Sequence, residues 1–320
     1  MRVAIAGAGI AGLSVAHALV QRGIRPTVIA PDSGYTAIGA GIVATHFADP
    51  VLAELASRSQ AIIRGLVPVE SCGMVRLALS DPQARILADM PGTEPGLPDG
   101  MVSFLSPEFR RRVVHATFAI DDFYLNPELL LNAMGQGTDR VRARIWNIEE
   151  GRVTIDGGTF EADWLVLALG PWSAWLVKGL ALERRRVQLA RAPLLIRSML
   201  QVADTGLFAR PNGDAATVGD GDACWRGAPD DRAARPTNSF RVQVEQQLTG
   251  MLGAEAECQP TSAGLIVRAR DDRPVLRAAG RVLLLTGFGR LGLSLAPACG
   301  EQVAEMICGE RGCTSGYGSF

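Results

Sequence analysis

The sequence predicts an α/β protein in which a doubly wound domain, assembled from non-contiguous stretches, is interleaved with a smaller, mainly antiparallel β domain. Three observations carry this. The chain opens on a short apolar strand, residues 2–6, that runs through Gly7-Ala8-Gly9-Ile10-Ala11-Gly12 into an apolar helical stretch, residues 13–20. Two more continuous apolar runs, residues 164–169 and 282–285, lead toward glycine later in the chain; strands this apolar are buried on both faces of a parallel sheet. From residue 187 to about 267 the pattern changes to short strands with turn sequences such as Pro211-Asn212-Gly213-Asp214, which reads as antiparallel material between the two ends of a parallel sheet.

The opening passage has the arrangement of a dinucleotide-binding fingerprint, and each glycine has a physical role. Gly7 lets the chain leave the strand in a tight turn, Gly9 leaves room for a pyrophosphate against the backbone, and Gly12 lets the helix pack closely on the strand. The free N–H groups around Ile10 and Ala11 then stand at the positive end of the helix, where an anion is favoured. The second strand, residues 26–30, ends on Ala30. An acid that holds ribose hydroxyls normally stands there, about 20 residues after the glycines. Pro31 and Asp32 follow, with no basic residue beside them in the sequence. Asp32 either reaches the ribose through a bend at Pro31 or is a plain turn residue.

The remaining elements follow in order. A glycine-rich loop covers residues 38–42, and residues 50–65 carry apolar side chains at helical spacing. Residues 74–80 predict a strand and 83–90 a short helix, before a Pro/Gly-rich loop over 91–100. Residues 111–119 and 141–156 read as strands, separated by a helix that opens at Asn126-Pro127-Glu128, where proline follows an Asn cap. An amphipathic helix is predicted over 240–252 and a closing helix over 297–308. There is no internal repeat.

Bulk properties narrow the partners. The chain has 320 residues and a formal net charge of −1, which gives no electrostatic reason to expect nucleic acid. Lys178 is the lone lysine among 32 basic residues, a pattern read as codon bias. No separable leader precedes the fingerprint strand, and no apolar run approaches the roughly 20 residues of a membrane span, so a soluble, cytoplasmic protein is expected. Cysteines at 72, 224, 258, 299, 308 and 313 form no CxxC pair and have no histidine near them. No metal site is expected, and the cysteines read as small apolar residues.

Four passages together resemble the D-amino-acid-oxidase-like FAD oxidoreductases, the group that holds glycine oxidase and sarcosine oxidase. They are residues 6–14, the loop 39–43, the strand and turn 162–173 ending in Gly170-Pro171-Trp172-Ser173, and residues 286–300, Thr286-Gly287-Phe288-Gly289-Arg290-Leu291-Gly292-Leu293-Ser294 onward. They span the chain in the family's order, and Asp271-Asp272-Arg273-Pro274-Val275 precedes the last. The resemblance implies a Rossmann-like domain that binds FAD. Gly7, Gly9, Ile10, Ala11 and Gly12 would hold it at the pyrophosphate and Asp32 at the ribose. Gly41, Ile42, Gly170 and Trp172 would line it, and Gly287, Gly289, Arg290, Leu291, Gly292 and Leu293 would form the C-terminal flavin loop. Backbone donors in that last loop suit the pyrimidine end of a flavin, where negative charge builds up on reduction.

The chemistry implied is hydride removal from the carbon beside a neutral amine, with flavin as acceptor and hydrolysis of the imine product. Such a reaction asks mainly for orientation and exclusion of water. In members of the family that use amino acids, an arginine on the strand before the Asp-x-x-Pro segment pairs with the substrate carboxylate. Here Ile266 stands at that place and Arg268 two residues on, on the same face of a strand. Either Arg268 replaces the family arginine, or the substrate has no carboxylate there and Arg268 forms a surface or domain-interface salt bridge. Arg290 lies inside the flavin loop and is a candidate contact of substrate or flavin, and Phe288 stands in place of a histidine common just before it in the family. His46 follows the 39–43 loop and either faces the flavin, tethers it, or is structural. His17 and His115 read as structural, Tyr124 as core or as a cover of the site, and Arg210 as a weaker candidate on its strand. Trp172 packs under the flavin region.

The expected division places residues 1–73, 120–185 and 268–320 in the FAD domain and residues 74–119 and 186–267 in the substrate domain. The expected partner is a small amine or amino acid, with a partner subunit or a homo-oligomer open. A flavoprotein subunit of a larger complex, or an FAD enzyme of this fold that oxidises a non-amine substrate, is the alternative.

Overall fold

The first strand, Val3–Ala6, is buried along its whole length and sits inside a six-stranded sheet. The structure, a computed structural model, describes residues 1–31, 34–96, 103–149, 152–177, 179–221, 223–227, 229 and 235–309. The sheet order is Val275–Ala279, Val282–Thr286, Trp164–Leu167, Val3–Ala6, Thr27–Ile29 and Asp139–Val141. The edge strand Val275–Ala279 is antiparallel to its neighbour, and the other pairings are parallel. Val3–Ala6 therefore lies at the point where the order reverses, with Thr27–Ile29 on one side and Trp164–Leu167 on the other. Ligands of open α/β sheets bind at the carboxyl ends of the strands at such a point.

The alternation of side chains along these strands builds two cores. Val3, Ile5, Val166, Leu283 and Leu285 pack on one face with the helices Ile10–Gln21, Pro50–Leu66, Pro127–Met134 and Gly292–Cys308. Ala4, Ala6, Leu165, Leu167 and Leu284 face the other way. There a three-stranded antiparallel sheet, Ile145–Glu149, Arg152–Ile155 and Gly158–Glu161, covers them through Ile148, Val153 and Phe160.

The second layer system is a nine-stranded, mainly antiparallel sheet. Leu182–Ala192 pairs along its length with Gln259–Ala269, while Met74–Ala78 runs parallel to Met199–Val202. One face of this sheet, with Val75, Leu77, Ala190, Leu200, Ala209 and Val218, is covered by the helix Asn238–Leu252 through Phe240, Val244, Leu248 and Met251. Those spacings place the four side chains on one helical stripe. The hydroxyl of Thr237 accepts the N–H of Phe240 and Gly253 closes the helix in the left-handed conformation, which sets both ends. Residues between the core positions, Arg76 and Arg210 among them, point from the opposite face, where they meet Asp122 and the carbonyl of Ala40.

Three expectations about elements change. Residues 111 and 112 end a helix, Pro107–Arg112, capped by the Ser106 hydroxyl, and the strand begins only at His115. The stretch 141–156 divides into the end of Asp139–Val141 and a separate hairpin. The closing helix starts at Gly292, so Pro297 lies inside it. Proline removes one donor from the helical ladder. The following N–H, that of Ala298, donates to Ser59 Oγ of the helix Pro50–Leu66 at 3.1 Å in a buried contact.

Among the described residues no helix is long and apolar enough to cross a membrane and no cluster of ligating side chains fits a metal ion. Cys72, Cys224, Cys258 and Cys299 are free thiols; burial pushes Cys258 up to about 11 and Cys299 up to about 12. Cys313 lies outside the described residues.

Candidate functional site

The site is built where the first and last helices begin. Gly7 turns the chain with φ +115°, and a Cβ there would stand 2.2 Å from the carbonyl oxygen of Ala168. A Cβ on Gly12 would lie 2.0 Å from the carbonyl oxygen of Gly7. Both positions therefore exclude a side chain by close packing of backbone on backbone. At Gly9 the nearest atom to such a Cβ is Thr36 Oγ1, 3.3 Å away, so that face is open apart from one hydroxyl. The helix Ile10–Gln21 has no side-chain cap at Gly9 and no acid in its first turn. Its Ile10 N–H meets only Thr36 Oγ1, at 3.3 Å.

The helix Gly292–Cys308 likewise starts without a side-chain cap or an early acid. A Cβ on Gly292 would lie 3.2 Å from Ile10 Cγ2, so the two uncapped helix N-termini stand side by side. The helices then pack so closely that a Cβ on Gly300 would meet the backbone carbon of Ser14 at 2.5 Å. Two adjacent positive helix ends make a site suited to the negative parts of a dinucleotide.

The other predicted passages are brought to the same place. Gly41, at φ +75°, turns against the carbonyl of Leu125, and Ile42–Val43 then pairs with Phe123–Tyr124. Beyond them the Ala44 N–H donates to Ser294 Oγ at 2.9 Å, which ties this loop to the first turn of the closing helix. Gly170 and Trp172 form a short 3-10 turn behind the strand Trp164–Leu167, and nothing lies within 4 Å of the position of a Cβ on Gly170. Gly287 leaves the strand Val282–Thr286, followed by the turn Gly289–Leu291 and then by Gly292 and Leu293 in the helix. Arg290, in that turn, is exposed. The hydroxyls of Ser173 and Thr286, just beyond or at the carboxyl ends of neighbouring sheet strands, are buried without a partner. Asp32 lies outside the described residues.

Several contributors were not visible in the sequence. Tyr35 stacks on Trp172, ring centroids 5.6 Å apart and planes 12° apart, and rests on Gly264, where a Cβ would stand 2.9 Å from its ring. Tyr35 and Thr36 occupy a loop with no periodic pattern, and only the fold reveals their neighbours. A basic residue does stand at the end of the second strand: Arg142 Nε donates to the carbonyl of Pro31 at 3.0 Å, carried there by the adjoining strand Asp139–Val141.

The candidate catalytic residues are placed differently from one another. Arg268 donates to Glu183 Oε2 at 3.3 Å, and its Nε stands 3.3 Å from Asp272 Oδ1. Its backbone bridges to Phe288 and its stem packs beside Gly289. The guanidinium is therefore neutralised by two acids near the surface. His46 belongs to a buried network. Thr45 donates its hydroxyl to Asp122 Oδ1 at 2.7 Å, and that hydroxyl is 2.9 Å from His46 Nδ1, so the ring donates there from Nδ1. Arg76 donates to Asp122 Oδ2 at 2.5 Å. Burial alone would raise the Asp122 carboxyl, but the His46 ring, the Arg76 guanidinium and the Thr45 donors outweigh it and hold the carboxyl below the usual carboxylate range. Gly92 packs on the imidazole, where a Cβ would stand 2.6 Å from His46 Cδ2. His115 lies on its strand with a buried, unpartnered Nε2. His17 lies in the first helix, its pKa pulled down by burial against an opposing pull from Glu301.

Arg210 sits against the glycine-rich loop itself. Its Nε donates to the carbonyl of Ala40 and its Nη1 to that of Pro211, and the guanidinium lies 4.9 Å above the ring of Tyr124.

The model of a family described as FAD dependent oxidoreductase matches residues 2–306. A glycine oxidase from Bacillus licheniformis is 25% identical, over 95% of this chain and 92% of that protein. A putative thiamine biosynthesis oxidoreductase from Rhizobium etli is 26% identical, over 98% of each. The crystal structure of an L-proline dehydrogenase from P. horikoshii superposes with a TM-score of 0.85 at 19% identity, covering 98% of this chain and 95% of that one.

Proposed function

This chain belongs to the FAD dependent oxidoreductase family, and from that premise we propose that it oxidises a C–N bond of a small amine or amino acid. The observation that carries the reading is the pair of adjacent, uncapped helix N-termini at Ile10 and Gly292, set among the glycine turns at Gly7, Gly170 and Gly287. FAD fits these residues. The Gly9–Gly12 turn suits its pyrophosphate, and the Gly289–Leu293 turn suits the pyrimidine edge of its ring. Bound there, FAD supplies a hydride acceptor.

The chain's own residues have three tasks in this reading. The helix ends and the Thr36 hydroxyl bind and orient the cofactor. The sheet face that carries Arg76, Thr117 and Arg210 closes the opposite side and excludes water. The Arg76–Asp122–Thr45–His46 network fixes the segment after Val43 against that sheet, so the distance between the two domains is set by buried charge. No side chain has to take a proton from the substrate carbon when hydride leaves a neutral amine. The similarity to a glycine oxidase and to an L-proline dehydrogenase supports nitrogen beside the reacting carbon. In the proposed division the FAD domain comprises residues 1–73, 120–185 and 268–320.

The test is spectral. The purified protein should show the absorbance bands of oxidised flavin, and anaerobic addition of amines and amino acids should bleach them. A flavin that alcohols bleach and no amine or amino acid does would overturn C–N oxidation while leaving the family intact.

A further inference from the structure

We propose that Arg210 holds the carboxylate of an amino-acid substrate, a task that the strand Gln259–Ala269 cannot perform with Ile266. The proposal rests on the C–N reading of the site and names its substrate class.

Arg76 spends its charge on Asp122, and Arg268 spends its own on Glu183 and Asp272. Arg290 is exposed in the C-terminal turn. Arg210 differs from all three. Among the described residues no carboxylate stands within ion-pair reach of it, and its protein acceptors are the two neutral carbonyls of Ala40 and Pro211. A half-buried cation with no counter-charge is costly unless a ligand supplies one. Burial pulls its pKa down, only partly opposed by Tyr124 and Cys72.

Its direction is fixed as well. Arg210 is paired with Thr217 and follows the core residue Ala209, so its side chain leaves the sheet on the face opposite the helix Asn238–Leu252. It crosses to Ala40, within the turn that Gly41 completes, and lies over Tyr124, which pairs with Ile42. The guanidinium has five N–H donors, of which the protein takes two. Among the described residues no hydrogen bond is made by Nη2, and the residue as a whole is only partly buried. A planar fork fixed through Nε and laid on an aromatic ring is preorganised for a carboxylate, which a flexible ammonium would not be.

The test uses the flavin-loaded protein and paired substrates, an amino acid and the amine that lacks its carboxyl group, with Arg210→Met and Arg210→Lys beside the wild type. In Arg210→Met the half-bleaching concentration of the amino acid relative to that of the amine should rise roughly 10- to 150-fold, the worth of a charge-assisted hydrogen bond. Arg210→Lys should fall between the two. An equal change for both substrates, or none, would mean that Arg210 merely ties the loop to the sheet, and the proposal is then wrong. Acetate gives a reading independent of turnover: it should shift the flavin bands of the wild type, and Arg210→Met should need a correspondingly higher concentration. If no amine or amino acid bleaches the wild type, C–N oxidation fails while the acetate titration still decides Arg210.

Discussion

Arg76 and Asp122 form an ion pair with an N–O distance of 2.5 Å and side chains 4% and 0% exposed, and the pair links the strand Met74–Ala78 to the turn before Phe123–Tyr124. Arg76 comes from the nine-stranded sheet and Asp122 lies just before Phe123–Tyr124. Thr45 donates to the same carboxylate through both its N–H and its hydroxyl.

Removing one partner leaves the other charged, buried and unpaired, at a cost of about 3–5 kcal/mol. Arg76→Met and Asp122→Asn should each lower the urea midpoint by that equivalent. The double variant should lose less than the two single losses together. Strict additivity would show that the pair does not act as a unit.

The same carboxylate gives a pH signature. Its folded pKa is depressed, while in the unfolded chain it takes up a proton near pH 4. Its contribution to stability is therefore complete above that range and is lost as pH falls toward the depressed folded value. The difference in unfolding free energy between wild type and Asp122→Asn should shrink on acidification below about pH 4. A difference that grows there would reverse the sign of the assignment.

Gly12→Ala and Gly9→Ala should fail in different ways. At Gly12 a Cβ meets unyielding backbone at 2.0 Å, so the apoprotein's melting temperature should fall. At Gly9 it meets only the Thr36 hydroxyl at 3.3 Å, so the fold should hold while the flavin-to-protein absorbance ratio drops. Normal flavin content in Gly9→Ala would remove the pyrophosphate from that turn.

Arg268→Met should change stability by no more than about 1 kcal/mol, because its ion pairs are partly exposed. It should not discriminate an amino acid from the matching amine. Selective weakening of the amino acid would make Arg268 the carboxylate ligand and displace Arg210.

Ser59→Ala removes the acceptor of the Ala298 N–H beside Pro297. A buried donor left without that partner should cost about 1–3 kcal/mol by chemical denaturation. Ser59→Thr, which keeps the hydroxyl, should recover part of it if the methyl is accommodated.

Much of the first domain was legible because its signals are local. Glycine spacing marks turns, continuous apolar runs mark buried parallel strands, and Asn126-Pro127 marks a helix start. The closing helix was read too short because proline ordinarily ends a helical pattern, and its compensation by Ser59 comes from a distant segment. Arg142 beside Pro31, Tyr35 on Trp172 and Arg210 against Ala40 share the same obscurity. Each is a long-range encounter made by sheet order or domain packing, for which neighbouring residues carry no periodic sign.

The adjacency of Ile10 and Gly292 also constrains biosynthesis. Nearly all of the sequence separates the two halves of the cradle, so a nascent chain leaving the ribosome presents the first half long before the second exists. In the proposed site flavin loading would follow synthesis of Gly292, and truncation before Gly292 should leave protein that captures no flavin, however well its first strand and helix form.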